Sequence, residues 1–120
     1  MALPAVAVIA AVTSLALPWV ATIEVSRASR IWPADPDAAL RQLDLAEQLN
    51  PLSPDAALNE GTIAIRIGSR ERAVRAFTRA LGRDPRNSYA TLMLGVCLLA
   101  CVVPTRRALR VEPTEALRAE

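Results

Sequence analysis

Ala73-Val74-Arg75-Ala76-Phe77-Thr78-Arg79-Ala80-Leu81-Gly82-Arg83-Asp84-Pro85 decides the fold of this chain. Its key positions already stand 34 residues upstream: Ala39, Leu43, Ala46 and Pro51 precede Ala73, Phe77, Ala80 and Pro85 in turn. That period is the length of one helix-turn-helix unit in a stacked array. Small residues at Ala39, Ala46, Ala73 and Ala80 let two antiparallel helices approach closely. Leu43 or Phe77 fills the space between them. Pro51 and Pro85 close each unit, because proline cannot continue a helix and restrains the residue before it. The expected fold is therefore all-α.

Taken from Pro54, the second unit resembles the tetratricopeptide repeat family. That pattern wants a small residue at the eighth place, where Gly61 stands, and then Ala73, Phe77, Ala80 and Pro85. The first helix matches less closely: Ala57, Glu60 and Ala64 stand where Trp, Leu and Tyr are usual. The resemblance implies a degenerate first repeat over 24–53, a well-matched repeat over 54–87 and a truncated third over 88–120. In the third, Gly95 takes the small-residue place, and Ala108 and Pro113 resemble the end of a second helix. Six residues are missing between these landmarks, and Pro104 interrupts the remainder.

Outward from the repeats, Ala2–Ile23 carries no charge. As a helix it spans about 33 Å, enough for a bilayer core. A single-pass transmembrane helix over 1–23 is the expectation, with the repeats following on a side the sequence leaves open. A cleaved signal peptide wants a basic start and a shorter apolar core. A buried soluble helix is the other alternative. Trp19 and Trp32 suit the membrane interface. Tyr89–Val103 is also uncharged, but it is short for a span and is expected to pack as a repeat helix.

Local signals mark the joints. Asp35 with Pro36 starts one helix and Ser53-Pro54 the next. Gly68 is a helix stop. Ser69 and then Asn87 or Ser88 open the last two helices.

Composition narrows the function. The net charge is +2, and every basic residue is Arg. Aromatics are too few for base stacking, so no nucleic-acid partner is expected. There is no His, which removes the commonest general base and metal ligand. Cys97 and Cys101 alone cannot complete a tetrahedral metal site and are expected to be small buried hydrophobes. Asp35 and Asp37 suit helix starts rather than catalysis. No catalytic residue, metal or cofactor is expected.

Binding remains. Repeat arrays present their first helices on the concave side, and there Asn59, Thr62 and Arg66 are the candidate contacts for a protein or peptide partner. The family's carboxylate clamp is not assembled, because Glu24, Ala28, Tyr89 and Met93 occupy its other places. Arg72, Arg75, Arg79, Arg83 and Arg86 share one helix face, expected to be a solvated outer stripe. Anionic lipid and nucleic-acid phosphate are the stripe's alternative partners.

The order of segments from Pro18 to Leu99 also resembles the carboxyl-terminal part of bacterial O-antigen ligase and polymerase membrane proteins. It implies association with a glycan-assembly core whose catalytic residues are absent from this chain. A start directly in an apolar helix fits the tail of a larger protein. The expected function is thus a membrane-anchored, non-enzymatic interaction module. Membrane lipid is contacted by the amino-terminal helix, and the glycan-assembly fragment is the alternative.

Overall fold

A computed structural model describes the backbone of residues 2–109 and the side-chain surroundings of residues 6–102. Five helices follow in order: α1 (Ala2–Ile31), α2 (Pro36–Leu49), α3 (Asp55–Arg66), α4 (Arg70–Arg83) and α5 (Ser88–Leu109). No strand occurs among the described residues. Each helix packs on the next, and α1 also touches α3.

The 34-residue register holds in the backbone. Asp35 and Ser69 stand at equivalent helix starts, and α2 and α4 are both 14 residues long. Asn50 and Asp84 end them in nearly the same conformation, at φ −139°, ψ 78° and φ −133°, ψ 89°. The N–H of Asn50 donates to the carbonyl of Ala46, and that of Asp84 to Ala80. One step later Ser53 N–H donates to Asn50 O and Asn87 N–H to Asp84 O. A repeated sequence pattern has produced a repeated turn.

Side-chain caps form as expected at α2 and α5 but not at α3, where Pro54 takes the cap position, nor at α4. Asp35 Oδ1 accepts from Ala38 N–H at 2.8 Å, and Asn87 Oδ1 accepts from Ala90 N–H at 2.9 Å. Ser53 Oγ accepts from Asp55 N–H at 3.1 Å. Ser69 makes no such side-chain bond. Its N–H instead donates to Ala64 O at 2.8 Å, while Gly68 N–H donates to Ile65 O at 3.1 Å. These paired bonds close the end of α3, and Gly68 adopts the left-handed φ of 79° that they require.

The repeated small and large positions lie in the core. Ala39, Ala73 and Ala80 are fully buried, and Leu43, Ala46 and Phe77 are nearly or wholly so. A methyl added at Gly61 would stand only 2.7 Å from Phe77 Cζ, so α3 and α4 approach as closely as a glycine allows. Gly95 is different. A methyl there would meet nothing within 4 Å among the described residues. α5 continues past Pro104 to Leu109 as one helix, and Pro113 lies outside the described residues. One side of α5 packs through Ala90, Met93, Leu94 and Cys97. Leu92, Val96 and Leu99 are exposed.

The helix α1 has two halves. Val6–Trp19 is exposed all round, whereas Ala21, Glu24 and Ala28 are buried at helical spacing. Val6–Ile31 is the one stretch among the described residues long and apolar enough to cross a membrane. Thr13 and Thr22 donate their hydroxyls to carbonyls of the preceding turn, which leaves few polar groups open. α1 runs unbroken from the apolar half into the packed half, through Pro18.

Candidate interaction surface

Asn59, Thr62 and Arg66 lie three and four residues apart on α3, so they share one face. Behind them, Ala57, Glu60, Gly61 and Ala64 face the core. All three line one shallow groove of about 130 Å³ against α1, together with Ser29, Trp32 and Ile63. Asn59 also lines a second groove of about 250 Å³, shared by Thr22 and Ser26 of α1 and by Asn50, Ser53 and Asp55. The two meet at Asn59 and form a furrow of mixed polar and apolar lining between α1 and α3.

Each candidate already has a local partner. Asn59 Nδ2 donates to Asp55 O at 2.9 Å. Thr62 Oγ1 donates to Leu58 O and lies 3.0 Å from Tyr89 Oη, which ties α3 to α5. Tyr89 in turn meets the Phe77 ring edge-on, with centroids 6.2 Å apart. The Arg66 guanidinium sits 5.8 Å above the Trp32 ring. Tyr89 occupies one of the clamp places on the first-helix side, whereas Trp32 was not expected at this surface. Trp32 suits an interface as a residue type, but it lies thirteen residues beyond Trp19 and packs on the core formed by Ala28, Ala39 and Leu43.

The arginine stripe is not the solvated face expected of it. Arg72 Nε donates to Glu60 Oε1 at 2.8 Å, and Arg79 binds Glu60 from its other side. Arg79 Nε also lies 3.3 Å from Glu47 Oε1, and Arg83 pairs with the same carboxylate. Three helices are therefore joined by charge: α2 through Glu47, α3 through Glu60 and α4 through the arginines. Glu60 is only 4% exposed, at a place where the repeat pattern wants Leu. The two guanidiniums make that burial tolerable, since a lone buried carboxylate is costly. Arg75 and Arg86 behave as expected: both are exposed, Arg75 with a loose contact to Glu71.

Asp44 borders this network. Its carboxyl is raised above the ordinary 3.8, first by burial, then by Glu60 and Glu47, against the opposing pull of Arg72 and Arg79. Cys97 is buried and Cys101 exposed, so only the first is the small core residue expected of both, and no disulfide joins them. Burial pushes the Cys97 thiol up, with Cys101 adding to it and Arg70 opposing it. Among the described residues, no three His, Cys, Asp or Glu side chains converge as a metal set.

Residues 58–100 match the tetratricopeptide repeat family model. The match enters within α3, covers all of α4 and ends in α5. It thus brackets Gly61, Ala73, Phe77, Ala80 and Pro85, and the close approach of Gly61 to Phe77. It makes this segment similar to a fold built for contact with other proteins. No curated protein matches the chain.

Proposed function

We propose that this chain is a membrane-anchored interaction protein of the tetratricopeptide type. It holds a protein or peptide partner in the furrow between α1 and α3 and acts by binding rather than by catalysis. The observation that carries the reading is the family match over 58–100 on helices already paired as repeat units. The exposed apolar half of α1 supports the anchor. Asn59, Thr62 and Arg66 supply amide, hydroxyl and guanidinium groups along one wall, which suits a partner read through hydrogen bonds. The resemblance to O-antigen ligase and polymerase proteins gains no support from the family match or from the curated proteins.

Two experiments test the reading. The full chain should stay with membranes through alkaline carbonate extraction, and its recovery in the soluble fraction would sink the anchor. A pull-down from detergent-solubilised membranes should lose its partner when Asn59, Thr62 and Arg66 are all changed to Ala. Equal capture by wild type and triple variant, at equal melting temperature, removes the furrow from the proposal.

A further inference from the structure

The turn between α2 and α3 carries Leu52 at 85% exposure, the most exposed large hydrophobic side chain among the described residues. Its position relative to α1 is set by packing. Ala21 of α1 shares a small core with Ala46 of α2 and Ala56 of α3. α2 runs back toward the apolar half of α1, and after Ala46 it continues through Leu49 before the chain turns. Asn50, Ser53 and Asp55 line the same groove as Ala21 and Thr22. The tip of the turn is therefore level with Ala21 or lies further toward the amino end of α1. The uncharged stretch of α1 does not end until Ile23. An apolar loop tip thus stands at the depth where the apolar helix surface begins.

A second turn shares that side. Arg83 Nη1 donates to Ser53 O at 3.3 Å, which brings the end of α4 beside the α2–α3 turn. The following turn carries exposed Arg86, while Asp84 is engaged by the Arg86 and Asn87 nitrogens of its own turn. Trp19, 69% exposed, sits on α1 just before this level. Leu52, Trp19 and Arg86 thus lie exposed toward the same end of the array, and their types suit the acyl boundary, interface and phosphate of a bilayer edge. No spacer separates anchor from array, because α1 is one helix through both.

We propose that the Asn50–Pro54 turn rests in the headgroup layer of a phospholipid bilayer, with Leu52 inserted at its apolar edge. This contact rests on the membrane-anchor reading and deepens it. It holds the repeat stack flush against the membrane at a fixed angle, and the furrow then opens beside the bilayer rather than away from it.

The test uses the full chain with Cys97 and Cys101 replaced by Ala. Single cysteines are placed by Leu15→Cys, Leu52→Cys or Ala34→Cys, and each is labelled with bimane. All three sites are exposed, so the substitutions touch no core contact. Ala34 lies in the α1–α2 turn, at the opposite end of the array. The proteins are reconstituted in phosphatidylcholine–phosphatidylglycerol vesicles carrying a nitroxide lipid. Quenching at Leu52 should be several-fold stronger than at Ala34 and comparable with that at Leu15. Strong quenching at Leu15 with Leu52 no different from Ala34 overturns the docked turn and leaves the anchor standing. Absence of quenching at Leu15 overturns the anchor, and the docked turn with it.

Discussion

Gly61 and Phe77 are two halves of one contact. The ring fills the place where a methyl on Gly61 would stand, 2.7 Å from Cζ. Gly61→Ala gains about 1 kcal/mol of helix propensity. It also forces a rigid, fully buried ring to move, which typically costs about 1–3 kcal/mol. The clash should win, lowering stability by up to about 2 kcal/mol, whereas Phe77→Ala should cost about 3–5 kcal/mol. The diagnostic measurement is a double-mutant cycle. Gly61→Ala with Phe77→Leu should be less damaging than the sum of the singles, because the added methyl occupies space the smaller side chain leaves. Additive losses would place the ring elsewhere.

Asp44 offers a different kind of test. Its pKa is raised in the folded chain, so the folded state holds the proton more tightly than the unfolded state does. Its favourable contribution is therefore full below the ordinary 3.8 and is lost as pH rises through the raised value. At neutral pH the ionised carboxylate is a mild liability beside Glu47 and Glu60. Asp44→Asn should melt slightly higher than wild type at pH 7, with the advantage vanishing in acid below 3.8. The side chain is 56% exposed, so the difference should be small. A variant that melts lower at neutral pH would mean that the 4.0 Å contact with Arg72 outweighs the repulsion.

Between helices, charge is sorted by depth. Arg79 reaches Glu47 and a Glu60 carboxylate that is 6% exposed, whereas Arg75 and Glu71 are 65% and 94% exposed. Arg79→Ala should therefore cost about 1–2 kcal/mol. That is less than breaking a fully buried pair, because water reaches Arg79 and Arg72 stays on Glu60. Arg75→Ala should change stability by no more than about 0.5 kcal/mol. Chemical denaturation of the two variants in the same detergent distinguishes them. Equal effects would mean that the network does not join α2, α3 and α4 in solution.

Seen whole, the molecule is a short stack with one apolar helix leading into it and one apolar face left open on α5. The lead helix cannot be divided cleanly at the last uncharged residue, since Ala21 belongs to the packed array. Removing residues 1–18 should yield a soluble, helical chain with a cooperative melt. Removing 1–28 also takes away Ala21, Glu24, Val25 and Ala28. It uncovers the core around Ala39, Leu40 and Leu43, so that chain should melt many degrees lower or not cooperatively. Circular dichroism of both truncations provides the measurement. Equal melts would mean that α1 contributes nothing to the array.

What the sequence determined alone was whatever repeats or is local. Ala39, Leu43 and Ala46 returning as Ala73, Phe77 and Ala80 set the period, the small-residue approaches and the paired turns after Asn50 and Asp84. Asp35-Pro36, Asn87 and Gly68 marked helix ends through bonds made within a few residues. The uncharged run before Glu24 marked the apolar helix by length. Only the tertiary structure decided what lies far apart in the chain. It turned Arg72, Arg79 and Arg83 inward onto Glu47 and Glu60, which periodicity alone could not do, because a helix face has no sign until a neighbour packs on it. It brought Trp32 under Arg66 and Tyr89 against Thr62. Propensity and spacing act along the chain; pairing of charges and closure of grooves depend on which helix lies across the gap.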